Sequence, residues 1–398
     1  MPSVGDIYFG YPSLRDSGDV REAARARIVD PGAVPDLAGR ALTVQGLKDP
    51  SDLGVTLTHE HLFIDLRRNH LPYPVAVPLE GRSEPVLTSE DFPATELATY
   101  EAKVGLGNLH LARNEASISD NYVLADEDLA ITEVSEFIAH GGSTVVDVTS
   151  IGIKRDPEAL KRVSEATGLN IVMGTGYYQR VFHPEDMDDR TVEELAGEIV
   201  ADVVAGVAET GIRSGVIGEI GINGGPITPN EVKSLQAAAR ASRLTGAPIS
   251  VHRGGEGAER RETLNILAEE GADLRRVVLG HSDEIASDPD LLAELLDRGV
   301  YVEFDLLGRE AALTESITSR SLGAVLHLLD AGQDERILLS QDVCWKTHLK
   351  HYGGFGYSFI LEKALPHLRD NGATEAQVQM LMVENPARLL AFAPPQRA

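Results

Sequence analysis

The sequence predicts a (β/α)8 barrel of the α/β class, with an N-terminal arm and a long insertion after the first strand. Three observations predict it: short apolar segments alternate with helical ones, the alternation recurs until eight strands are counted, and several strands end in a histidine or an acid. Apolar strands that alternate with helices indicate a parallel sheet covered on its outer face. Eight such units point to a closed barrel, whose chemistry gathers at the C-terminal strand ends. The rival is a doubly wound open sheet, which wants a glycine-rich phosphate turn after its first strand. There is none; the Gly-Gly pairs at 141–142, 224–225 and 254–255 lack that spacing and read as turns.

Taken in order, residues 1–40 read as an arm and residues 41–398 as the barrel, with a strand pair starting near Arg40. The first barrel strand is the apolar run leading into Thr58-His59-Glu60-His61. Residues 67–120 lack clean periodicity and hold Pro72, Pro74, Pro78 and Pro93, an insertion expected to lie over the His-x-His end. A helix from about Asp126 to Gly141 precedes the strand Ser143–Thr149. Asp156 with Pro157 opens a helix that closes at Gly168, before the strand Asn170–Thr175. Thr191 with Glu194 has the form of a capping box, and that helix is expected to run to Gly211. The remaining strands are Gly215–Ile220, Pro248–His252, Arg276–His281, Val300–Asp305 and Arg336–Asp342, each preceded by a helix that stops at a glycine. The last helix is interrupted at Asn385-Pro386.

Composition narrows the function. The chain has 398 residues, 42% hydrophobic and 25% charged, and 62 acids against 36 bases give a formal charge of −26. That field repels phosphate backbones and anionic lipid, so neither nucleic acid nor a membrane surface is an expected partner. The lone Cys344 excludes an intramolecular disulfide. With no visible signal peptide or apolar membrane span, a cytoplasmic location is expected.

The strand ends carry the chemistry. Successive strand residues alternate faces, so His59 and His61 point one way and Glu60 the other. Glu219, His252, His281 and Asp342 end strands four, five, six and eight. Singly, each reads as well as a cap or a buried, hydrogen-bonded histidine. Together they set four imidazoles and two carboxylates on one rim. Oxygen and nitrogen donors without thiolates suit Zn²⁺, Mn²⁺, Co²⁺ or Fe²⁺. Six donors are too many for one tetrahedral ion and enough for two with an acid between them. Tyr177, Tyr178, Arg253, Arg309 and Trp345 follow strands three, five, seven and eight and are candidates for substrate binding, with ordinary loop packing the alternative. An arginine here would suit an anionic substrate group.

This pattern resembles the amidohydrolase superfamily. Thr58-His59-Glu60-His61, Gly218-Glu219-Ile220-Gly221, Gly280-His281-Ser282-Asp283 and Tyr177-Tyr178 with His183-Pro184 resemble the phosphotriesterase family. Asp342-Val343-Cys344-Trp345-Lys346, Tyr352-Gly353-Gly354-Phe355-Gly356-Tyr357 and Asn385-Pro386 resemble its phosphotriesterase-related branch. The resemblance covers about residues 40–393. It implies two divalent ions, zinc first among them: His59, His61 and Asp342 on the more buried ion, His252 and His281 on the more exposed one, and Glu219 bridging both. It also implies a small-molecule substrate and, commonly, a homodimer. Two departures stand out. The bridge is Glu219 where the best-known phosphotriesterases have a carboxylated lysine, and Asp305 is followed by Leu306 where they have a proton-shuttling histidine.

The expected activity is hydrolysis of a carboxylic ester, lactone or amide by a metal-bridging hydroxide, with Asp342 moving the proton to the leaving group. Phosphotriester hydrolysis is the second reading. A mononuclear deaminase is the third, although Glu256 lies four residues after His252 where that reading wants three. A metal-stabilised binding protein without turnover is the alternative from a different class.

Overall fold

The computed structural model describes residues 34–69, 94–113, 118–252, 257–309 and 316–396. Eight parallel strands form the central sheet: β1 Thr56–Glu60, β2 Thr144–Asp147, β3 Asn170–Thr175, β4 Val216–Gly221, β5 Ile249–His252, β6 Val277–Leu279, β7 Tyr301–Phe304 and β8 Ile337–Leu339. Each pairs with its sequence neighbour, as crossover helices demand. The ring closes from β8 to β1 at the strand ends: His59 N–H donates to Ser340 Oγ (2.9 Å), and Asp342 N–H donates to the His59 carbonyl (3.2 Å). The fold is the predicted (β/α)8 barrel.

Helices α1 Glu127–Ala139, α2 Pro157–Thr167, α3 Val192–Val204, α4 Pro229–Thr245, α5 Gly257–Glu269, α6 Pro289–Asp297 and α7 Ile317–Asp330 fill the crossovers. Their caps are the ones their sequences spell. Asp126, Asp156 and Asp288 each accept the N–H three residues on, at 3.0 Å. Thr191–Glu194 and Thr228–Glu231 form reciprocal capping boxes. One boundary differs from expectation. α3 stops at Val204, and a separate 3-10 turn, Ala208–Thr210, carries the chain to Gly211. Gly206, at φ +102, has taken the chain out of the helix before Gly211 is reached.

Alternate residues along most of the strands face different apolar clusters. Leu57, Val145, Ile171, Ile217, Ile249, Val277, Val302 and Leu339 join the large apolar layer that also takes in helix residues such as Val134, Leu195 and Leu235. Val146, Val172 and Val216 meet Ala41, Leu53 and Leu390, while Val278, Tyr301 and Leu338 meet Leu389. Helix Asn385–Leu390 and the antiparallel pair Ala41–Thr43/Gly46–Lys48 therefore seal one end of the barrel and leave the other for chemistry. The predicted strand pair near Arg40 is this hairpin.

Part of the insertion, residues 70–93 and 114–117, lies outside the described residues. The described part holds the short helices Ala94–Tyr100 and Leu109–Arg113, more order than its sequence pattern suggests. It and the residue that follows it pack on the segment after β8: Arg113 donates to the Tyr352 carbonyl (2.7 Å), and Thr347 N–H donates to Asn121 Oδ1 (3.0 Å). Among the described residues, no helix is long and apolar enough to cross a membrane.

Candidate metal centre

The six proposed metal-binding side chains come together, buried, at the C-terminal mouth. Glu219 stands in the middle. Its Oε1 is 3.4 Å from His61 Nε2; its Oε2 is 3.3 Å from His59 Nε2 and 2.8 Å from His252 Nδ1. Asp342 Oδ1 is 3.3 Å from His61 Nε2, and His281 Nε2 is 2.9 Å from His252 Nδ1. Local backbone serves this convergence. Gly218, which precedes Glu219, lies so close to the Ser250 carbonyl of β5 that a side chain would collide with it. His281 and Asp342 hold left-handed conformations (φ +51 and +46) that bulky residues avoid, so packing must fix both.

The far nitrogens of the rings are also engaged. His61 Nδ1 is 2.9 Å from Thr149 Oγ1. Asp305 accepts from His281 Nδ1 (2.6 Å) and lies 3.2 Å from His59 Nδ1, with Glu303 at 3.4 Å from the same atom. Gln179 Nε2 is 2.9 Å from His252 Nε2. Asp305 thereby fixes the outward N–H of His59 and His281, as metal-binding histidines would need, while Thr149 and Gln179 help orient His61 and His252.

The electrostatics of the centre suits positive charge. Burial alone would raise the Glu219 pKa, but His252 and His59 outweigh it and hold the carboxyl well below its usual range. Asp342 behaves likewise: burial raises it, and Arg309, then His61 and His59, pull it down. Burial lowers His61, yet Asp342 and Glu219 push it up to about 9. His252 is lowered, by burial first and by His281, against the pull of Glu219. Two observations fit these residues to a divalent cation. His59 Nε2 is buried without a hydrogen-bond partner while facing Glu219. Donor atoms of His59, Glu219 and His281, and of His59, His61 and Asp342, lie within 4.8 Å of one another in each group. Cys344 adds no thiolate, because burial raises its pKa well above the usual value.

The proposed substrate residues divide. The Tyr178 hydroxyl is 3.2 Å from His252 Nε2, with ring centroids 4.7 Å apart, so this tyrosine lines the centre. Tyr177 does not join it: fully buried, it donates to Glu198 of α3 at 2.6 Å under the Arg190 guanidinium. Arg309 reaches Asp342 and stands 5.8 Å from the Trp345 ring centre. Trp345 stacks on His348 at 4.9 Å and meets Tyr122, just past the insertion, edge-on at 5.4 Å. Arg253 and Glu256 lie outside the described residues. Sequence reasoning passed over Asp305, Glu303, Thr149 and Gln179. Asp305 alone carried a signal, since it stands just past a strand end like the other acids.

Glu60, turned away from the imidazoles, ties β1 to the segment that bears Asp342. It accepts the N–H of Gln341 and of Val343, each at 2.8 Å, and lies 2.7 Å from the Ser340 hydroxyl. Burial pushes its pKa up to about 7 against those bonds.

Comparison with known proteins agrees with this geometry. The description "Phosphotriesterase family" matches residues 39–390. An N-acetyltaurine hydrolase of Danio rerio is 36% identical over 368 residues, covering 90% of this chain and 99% of its own. A resiniferatoxin-binding protein from Rhodobacter sphaeroides has a similar structure, with TM-score 0.78, 39% identity and coverage of 88% of this chain and 95% of that one. The lactonase Lmo2620 from Listeria monocytogenes has TM-score 0.70 and 26% identity, covering 89% and 99%. Barrel, buried donor cluster and matched length lead to one assignment: the chain belongs to the phosphotriesterase family and is a hydrolase.

Proposed function

We propose that this hydrolase cleaves a carboxylic amide, ester or lactone of a small molecule with two divalent ions held by His59, His61, Glu219, His252, His281 and Asp342. The observation that carries the reading is the Glu219 carboxylate, whose two oxygens face different imidazoles, Oε1 toward His61 and Oε2 toward His59 and His252. One carboxylate between two donor groups is what a pair of cations needs to share. When bound, such ions lower the pKa of a water and polarise the scissile carbonyl. The chain supplies the rest. Asp342, ionised and turned toward His61, takes the proton of the attacking water and returns it to the leaving group. Tyr178, beside His252, bounds the space where the acyl group lies.

Amides head the substrate classes because of the N-acetyltaurine hydrolase relatives, and lactones follow because of the Listeria structure. The test pairs metal analysis of the purified protein with kcat/KM for N-acyl amino sulfonates, N-acyl amino acids, lactones and paraoxon. About two ions per chain, with an amide or lactone the best substrate, is the expected result. A single ion per chain, or paraoxon as the best substrate, would refute the proposal.

A further inference from the structure

The chain leaves β7 as Asp305-Leu306-Leu307-Gly308-Arg309, with a leucine and not a histidine directly after Asp305. Arg309 stands beside Asp342 instead. Its Nη2 donates to Asp342 Oδ2 and to the Asp342 carbonyl, the latter at 3.0 Å, and lies 3.4 Å from Cys344 Sγ. The carboxylate is thereby divided: Oδ2 is gripped by the guanidinium, and Oδ1 faces His61 at 3.3 Å. The grip is anchored from behind. Gly308, at φ +82, donates its N–H to Thr318 Oγ1 (3.0 Å), and a Cβ there would come within 2.6 Å of the Phe359 ring. In front lies the Trp345 ring, itself stacked on His348. A guanidinium donates hydrogen bonds but has no lone pair free to receive a proton.

We propose that Arg309 is a positioning residue that fixes which oxygen of Asp342 faces the reacting group and closes the outward route for its proton. The proposal rests on the hydrolase reading above. As the water oxygen bonds to the carbonyl carbon, its O–H bond breaks and Asp342 takes the proton. As the C–N or C–O bond breaks, the leaving nitrogen or oxygen takes that proton back, which regenerates the carboxylate; nothing is oxidised or reduced. Such a site favours basic leaving groups, amines and alkoxides, which need the proton. A nitrophenolate, which leaves without one, gains little from it.

The test compares wild type with Arg309→Met and Arg309→Lys. Zinc affinity is read by chelator competition, and kcat and KM are read on an N-acyl amino sulfonate and on the p-nitrophenyl ester of the same acid. Arg309→Met is expected to weaken zinc binding by about 10- to 100-fold, as loss of a group that orients a metal-binding side chain does. It is expected to lower kcat on the amide by at least about 100-fold, the scale of a lost proton transfer, with KM little changed. The nitrophenyl ester should suffer far less, and Arg309→Lys, which keeps the charge, should recover most of the amide turnover. An Arg309→Met protein with wild-type zinc affinity and a wild-type ratio of amide to ester turnover would overturn the proposal. So would equal loss on both substrates in both variants with zinc binding unchanged. A wild type that cleaves neither substrate refutes the amide and ester reading instead, while the zinc competition still reports whether Arg309 holds Asp342.

Discussion

Four imidazoles serve one centre only if each is turned correctly, and the side chains that turn them are modest ones: Asp305 for His59 and His281, Thr149 for His61, Gln179 for His252. Asp305 has the largest share because it touches two rings at once. Burial raises its pKa, but His281 and His59 outweigh this and keep it ionised. Asp305→Asn keeps the shape and removes the charge, so metal affinity should fall by about 10- to 100-fold. Chelator competition measures it, and unchanged affinity would show that the rings hold their orientation without the carboxylate. The six clustered side chains were legible in the sequence because each lies near the C-terminal end of a strand. Asp305 sits there too, although the sequence assigns it no role. Thr149 and Gln179 were illegible: nothing in a threonine or a glutamine announces which ring it will meet.

At the scale of elements, the mouth of the barrel is held by side chains that cross between segments distant in sequence. Glu60 joins β1 to the residues after β8, and Asp283 accepts the N–H of Asp305 and Leu306 from β7 at 2.8 and 3.2 Å. Asp120 ties the insertion to the same region, with Lys103 and Lys346 each at 2.8 Å and the Val104 N–H at 3.0 Å. Burial raises the Asp120 pKa, but the bonds from Lys103, Lys346 and Val104 prevail and it lies below the usual carboxylate value. A carboxyl whose pKa is depressed by folding stabilises the protein above its unfolded pKa, near 3.9. That contribution disappears as pH falls through the folded value. Asp120→Asn should therefore cost about 1 to 3 kcal/mol at pH 7, and the difference from wild type should shrink below about pH 4. Urea unfolding at the two pH values checks it; a difference that grows on acidification would exclude this role.

Across the whole molecule, the ions we propose would couple stability to cations through the acids and imidazoles buried at one mouth. Protons and metal ions would compete for the same nitrogens, and His61, pushed up to about 9, would give up its proton to a cation. Stripping the metal should lower the melting temperature and adding it back should restore it, with about 2.7 kcal/mol gained when free metal is a hundred times its Kd. The gap between the two states should narrow as pH falls, since acid protonates the imidazoles that the ion requires. Calorimetry of stripped and loaded protein between neutral and acid pH measures the gap; a gap independent of pH would mean that the histidines do not hold the ion.

The sequence by itself determined the barrel, since Asp156-Pro157, the two Thr-x-x-Glu caps and the apolar strands are local patterns with local causes. It also picked out the six side chains that meet at the mouth, because a barrel brings all strand ends to one rim whatever lies between them. Only the tertiary structure decided that Tyr177 turns to Glu198 while Tyr178 turns to His252, and that Arg309 closes on Asp342. Those choices depend on distances between residues far apart in the chain, and a period of two or of 3.6 carries no record of such distances.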